Sequence, residues 1–168
     1  MRIIAIVGPS GAGKDTVARL LSDETGIPVL ISYTTRPMRD DEVNGREHWF
    51  VDSCNTPHDM MLAHAVYGGH EYWTEVTQVH DSAIYVINEE ALLEMHDRFP
   101  SIDIVSIYVK ADESVRRERG VTPERMARDL ERQSLPSSYY DYRISNNKSM
   151  VALKHKVRAI SLFINKKL

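Results

Sequence analysis

At 168 residues the chain has single-domain length, enough to bury roughly 70% of its unfolded surface. Hydrophobic residues at 42% and charged residues at 27% exclude a disordered chain, and a net charge of −3 argues against general nucleic-acid binding. One cysteine, Cys54, excludes an internal disulfide and fits a reducing compartment. No apolar run reaches membrane length, and the first is cut at Gly8, too short for a signal core. A cytoplasmic monomer or homodimer, without membrane or nucleic-acid partners, is expected.

The N-terminus carries the most specific signal. Arg2 to Val7 is a short apolar run rich in β-branched residues, as in a strand buried on both faces. It runs into Gly8-Pro9-Ser10-Gly11-Ala12-Gly13-Lys14-Asp15-Thr16, after which Val17, Leu20 and Leu21 recur at helical spacing. Strand, glycine loop and helix in that order are the setting of the phosphate-binding pattern G-x-x-x-x-G-K. Glycines let successive N–H groups turn inward, the helix N-terminus adds its positive end, and Lys14 brings a full charge to the terminal phosphates. An ordinary Gly-rich turn would not need the spacing, the lysine and both flanks to agree. Asp15 stands where Ser or Thr usually offers a hydroxyl to Mg²⁺. Two roles suit it equally: a hard oxygen ligand for Mg²⁺, or an acid stabilised by the macrodipole in the first helical turn.

Further along, Gly26-Ile27-Pro28 ends the first helix and Val29 to Ile31 reads as a second strand. Ser32 to Arg39 is polar, with Arg36 and Arg39 three apart. Asn44-Gly45 marks a turn before the strand-like stretch Glu47 to Val51. Residues 52 to 83 are irregular, with a weak helical stretch near Asp59 to Val66 and a turn at Gly68-Gly69, and read as an inserted subdomain. Alternation then resumes: strand 84–87, helix 89–98, strand 102–109, a basic helix 113–119 broken at Gly120, and a helix restarting at Thr122-Pro123. Tyr142 to Ser145 is a last strand. Met150, Leu153, Val157, Ile160 and Ile164 form a core-facing stripe on the closing helix, with Lys166 and Lys167 suiting its C-terminal end. Strands alternating with helices predict an α/β fold with a three-layer parallel sheet and a ligand site at the carboxyl ends of its strands.

Arg36 and Arg39 follow one strand; Arg116, Arg117, Arg119 and Arg128 follow another. Phosphoryl transfer needs two phosphate-bearing substrates held in line and the developing charge neutralised. A phosphate loop, an arginine pair and an arginine-rich lid would supply those parts, although any single arginine fits a solvated helix face equally well.

Gly8 to Lys14 resembles the phosphate loop of guanylate kinases. Ser32-Tyr33-Thr34-Thr35-Arg36-Pro37-Met38-Arg39, with Glu42 to Gly45 and Phe50-Val51, is similar to that family's acceptor-phosphate segment. Arg119-Gly120 with Arg128, and Tyr140-Asp141-Tyr142 leading to Asn146-Asn147, resemble its lid and adenine-side loop. The resemblance implies a P-loop kinase fold with core 1–33, 84–110 and 138–168, an acceptor subdomain near 34–83 and a lid near 112–130. It implies ATP- and Mg²⁺-dependent transfer to a nucleoside monophosphate. Gly8, Ser10, Gly11, Ala12, Gly13, Lys14, Asp15, Thr16 and Asn146 would bind ATP, with Asp15 also the metal candidate. Ser32, Arg36, Arg39, His48, Tyr72 and Thr74 would bind the acceptor. Lys14, Arg36, Arg119 and Arg128 would carry the transfer. At the base-reading positions His48 stands for a tyrosine and Ala63 for an acid, with Glu71 or Glu75 as substitutes.

Two other readings remain at this stage. Gly13-Lys14-Asp15 also resembles the loop of ribose bisphosphate phosphokinases. A non-catalytic guanylate-kinase-like module would share the fold, but such modules typically lose the lysine that Lys14 provides. The histidines His58, His64, His70 and His80 match no ligand spacing and read as surface residues. Trp49 and Trp73 suit base stacking or a small core equally.

Overall fold

The computed structural model describes residues 1–131 and 135–165. Lys166 and Lys167 lie outside them. The main sheet is parallel throughout, with strand order β6 (Ser82–Val86), β1 (Arg2–Val7), β7 (Asp103–Lys110) and β8 (Tyr142–Ser145). The unbroken apolar run of β1 follows from its central place. Ile4 and Ile6 pack on one face, against Val17 and Leu21 of α1 (Lys14–Thr25) and Leu153 and Val157 of α5 (Met150–Asn165). Ile3, Ala5 and Val7 pack on the other face, with Leu92 and Met95 of α2 (Glu89–Arg98). Alternate residues thus feed two cores.

A second, smaller sheet stands beside it, with order β3 (Trp49–Phe50), β2 (Tyr33–Thr34), β5 (His70–Glu75) and β4 (Met61–Tyr67). The expected helical stretch at 59–66 is therefore wrong. A 3-10 turn at His58–Met60 leads into β4, which pairs antiparallel with β5 through the turn at Gly68-Gly69. Pairing with β5 and burial of Met61, Leu62 and Ala63 overrode a weak helical pattern. Val29 to Ile31 is likewise not a full strand: Val29 makes one parallel bridge to Ile84, and the chain crosses to the second sheet at Tyr33. On α5, Leu153, Val157, Ile160 and Ile164 are buried as predicted, but Met150 is 51% exposed.

The arginine-rich stretch expected to act as a lid forms two short helices, α3 (Glu113–Glu118) and α4 (Pro123–Glu131), separated by a turn at Gly120 with φ +81°. Among the described residues no helix is long and apolar enough to cross a membrane.

Candidate active site

The carboxyl ends of β1, β6, β7 and β8 converge on one edge of the main sheet, and each is followed by a loop that builds the site. After β1 the chain wraps the phosphate loop. Gly8 is required by a close approach: with φ +145°, a Cβ there would lie 2.0 Å from the carbonyl oxygen of Val109 on β7. Gly13, at φ +94°, caps α1, and a Cβ there would lie 2.4 Å from the Asn146 amide nitrogen. Only glycine allows both approaches.

The loop is braced from its outer side. Asn146 Nδ2 donates to the Ala12 carbonyl at 2.8 Å. Arg119 Nη1 donates to the Gly11 carbonyl at 2.9 Å, and its Nη2 to the Asn146 carbonyl at 2.8 Å. In a trans peptide the C=O and N–H point in opposite directions. Fixing the Ala12 carbonyl outward therefore turns the Gly13 N–H the other way, toward the cleft that Gly13 lines. Lys14 Nζ lies across the loop mouth, donating to the carbonyls of Gly8 at 2.9 Å and Pro9 at 3.1 Å. A lysine held there has its charge aimed at the space in front of the loop.

That space is a cleft of about 670 Å³. Ser10, Gly11, Gly13, Lys14 and Asp15 form one end. Ser32 and His48, each immediately before a strand of the second sheet, and Tyr72 of β5 form a wall, and Arg119, Arg125 and Arg128 line the cleft from the α3–α4 segment. Tyr67, Tyr85, Ile87 and Asn88 also line it. Residues up to 118 positions apart in the sequence thus meet around one volume.

His48 Nδ1 and Ser32 Oγ are 2.8 Å apart. Burial, and then the positive charge of Arg36, hold the His48 imidazole below its ordinary pKa, favouring the neutral ring. Arg36 and Arg39 do not line the cleft. Arg36 is gripped end-on by Glu42, at 2.9 Å from Nη1 and 2.8 Å from Nη2, and lies beside Tyr72. Arg39 is exposed, and its backbone N–H donates to the same Glu42 carboxylate at 2.9 Å. Thr74 is fully buried beneath the cleft floor, donating to the Tyr85 hydroxyl at 2.7 Å. That bond spends its hydroxyl on the floor itself.

Neither substitute acid lines the cleft. Glu71 faces His64 on the β4–β5 hairpin, 3.4 Å away. Glu75 accepts from the Thr56 hydroxyl at 2.7 Å and caps the turn at Val76–Gln78. Trp73 is 3% exposed, stacks on Tyr33 and donates to Thr56, and it also lines the cleft. Trp49 is exposed. In the α3–α4 segment Arg117 pairs with Glu113 in solvent, while Arg125 reaches the cleft. Sequence reading missed Tyr85 and Asp129, which have no motif signal; each acts through a partner distant in the chain.

Asp15 is exposed at the cleft mouth beside Lys14. Among the described residues no group of three or more His, Cys, Asp or Glu side chains could hold a metal by itself. One carboxylate next to a phosphate cradle fits Mg²⁺, which is usually held by one or two carboxylates together with substrate phosphates.

A second cavity of about 290 Å³ lies on the outer side of the loop, lined by Gly13, Thr16, Arg119, Asn146, Lys148, Met150 and Leu153.

The guanylate kinase family model matches residues 1–162. A guanylate kinase of Gloeobacter violaceus is 31% identical over 172 aligned positions, covering 91% of this chain and 83% of that protein. One from Hyphomonas neptunium is 28% identical, covering 94% and 82%. The crystal structure of guanylate kinase from Anaplasma phagocytophilum superposes with a TM-score of 0.69 at 24% identity, covering 98% of this chain and 85% of that one. These matches bear out the P-loop kinase fold and do not favour a phospho-sugar kinase or a non-catalytic module. With a braced phosphate loop facing Arg119, Arg125 and Arg128 across one cleft, the chain belongs to the guanylate kinase family, and it is a nucleoside monophosphate kinase that uses ATP as phosphoryl donor.

Proposed function

We propose that the acceptor is a guanine nucleotide, GMP or dGMP, and that residues 34–83 form the acceptor subdomain and 112–130 the lid. The observation that carries this reading is the single cleft bounded by Lys14 at one end, Ser32, His48 and Tyr72 along its wall, and Arg119, Arg125 and Arg128 above. The names of the relatives supply the guanine assignment.

In this reading adenine occupies the second cavity beside Asn146, and the ATP phosphates pass over Gly13 into the main cleft. Lys14 and the loop amides hold the β- and γ-phosphates. Asp15 would hold Mg²⁺ together with those phosphates, and the ion would supply charge neutralisation on the donor. Ser32, His48 and Tyr72 orient the acceptor phosphate, with Arg36 and Arg39 held behind them. Arg119, Arg125 and Arg128 offset the charge on the transferring group. No side chain need form a covalent intermediate; positioning and fixed charge do the work.

The test is ADP release from Mg-ATP over ribo- and deoxyribonucleoside monophosphates. Turnover on GMP or dGMP is expected. Turnover confined to another base overturns the guanine assignment and makes Ala63 and His48 the first positions to exchange.

A further inference from the structure

Asp129, on α4, lies 119 positions from Ser10 in sequence and in direct contact with it. Its Oδ2 accepts the Ser10 backbone N–H at 2.9 Å, and its Oδ1 accepts the Ser10 hydroxyl at 3.0 Å. Arg116 of α3 completes the group, donating through Nη1 to Asp129 Oδ2 at 3.0 Å and to the Ser10 carbonyl at 3.4 Å. The Asp129 and Arg116 side chains are only 5% and 12% exposed. Both lid helices are thereby tied to the phosphate loop through one desolvated, charge-assisted network.

Neither Asp129 nor Arg116 lines the cleft, whereas Arg125 and Arg128 do. Arg125 stands one helical turn before Asp129 and Arg128 one residue before it, so fixing Asp129 fixes the direction of both. We propose that Asp129 is a positioning residue: a latch that docks the lid helix on Ser10 before nucleotide arrives and aims Arg125 and Arg128 into the cleft. This rests on the reading that those arginines face the transferring group. With the latch in place, the ordering cost of the lid is met in the free protein rather than during turnover. Charge balance points the same way. Removing the carboxylate leaves the Ser10 N–H without its acceptor and the buried Arg116 guanidinium without its counter-charge, with only the Ser10 carbonyl at 3.4 Å, which favours undocking of the lid.

The experiment compares wild type with Asp129→Asn and Asp129→Ala by amide hydrogen exchange of the nucleotide-free chain and by steady-state kinetics with Mg-ATP and GMP. Exchange across 113–131 is expected to rise in both variants while β1, β7 and α5 stay protected. A misplaced lid should lower kcat by about 10- to 100-fold with KM for GMP little changed. The Asn variant keeps one acceptor and should fall between wild type and Ala. Ser10→Ala added to Asp129→Ala should cost little more than Asp129→Ala alone, since both act through one network. Unchanged exchange in 113–131, or a rise spread evenly over the whole chain, overturns the latch; if the Ala variant does not fold, the Asn variant decides. Wild type inert on GMP overturns the functional reading instead, and the exchange comparison still decides the latch.

Discussion

Glu42 grips Arg36 end-on, one carboxylate oxygen to each terminal nitrogen, at 2.9 and 2.8 Å. The guanidinium is a fork with five donors, so an end-on partner leaves the Nε–Nη2 edge for a second anion. Glu42 therefore orients Arg36 rather than consuming it. The hydrogen bonds from Arg36 and from the Arg39 backbone hold the Glu42 carboxyl down at about 2, from an ordinary 4.5. A depressed acid contributes its stability above its unfolded value and loses it as pH falls through the folded one. The Arg36–Glu42 pair should thus be intact above pH 4.5 and lost progressively toward about 2. Carboxyl carbon NMR of Glu42 checks this. Glu42→Gln should raise KM for the acceptor several-fold with little change in kcat, because only orientation of a binding group is lost.

Lys14 bridges the loop carbonyls and, in the proposed function, carries charge to the donor. Lys14→Ala should lower kcat by about 10²- to 10³-fold or more, the scale for removing one preorganised donor at a developing charge. Circular dichroism should show an unchanged fold, since the loop remains braced by Asn146 and Arg119. Full activity in this variant would overturn the place of Lys14 in the site.

The Tyr85–Thr74 bond is a test of the cleft floor. Burial raises the Tyr85 hydroxyl to about 12, the bond from Thr74 working in the opposite direction. Tyr85→Phe strands the buried Thr74 hydroxyl and should cost about 1–3 kcal/mol in thermal or denaturant unfolding. Adding Thr74→Val removes the stranded group, and most of the loss should return. A raised folded pKa gives stability that is full below the unfolded value of 10 and lost as pH rises toward about 12. Wild type should accordingly lose more stability than the double variant over that interval.

His48 gives the opposite sign to a raised histidine. Its pKa is lowered by burial, then by the Arg36 charge, from an ordinary 6.5. The unfolded chain takes up the proton first as pH falls, so this contribution is present above 6.5 and lost below it. His48→Gln keeps a partner for Ser32 without a titrating ring. The stability gap between wild type and His48→Gln should narrow between pH 7.5 and pH 5, measured by urea unfolding; a constant gap contradicts the buried neutral ring.

Much of this molecule is local and was legible in the chain. The phosphate loop could be read from Gly8 to Lys14 because its conformation depends on glycines and a helix start within nine residues. The helix at 89–98 and the strand at 142–145 fell where propensity and periodicity put them, and the parallel sheet followed from their alternation. What failed was decided by partners. Met61 to Tyr67 is a strand only because His70 to Glu75 lies beside it. Glu75, a substitute base reader suggested by the family resemblance, is spent on Thr56. Arg116 and Arg125 look alike in sequence, yet one is buried against Asp129 and the other faces the cleft. A side chain's type and its near neighbours set what it can bind. Which of its possible partners it meets is fixed by contacts between residues as distant as Ser10 and Asp129, and only the tertiary fold supplies those.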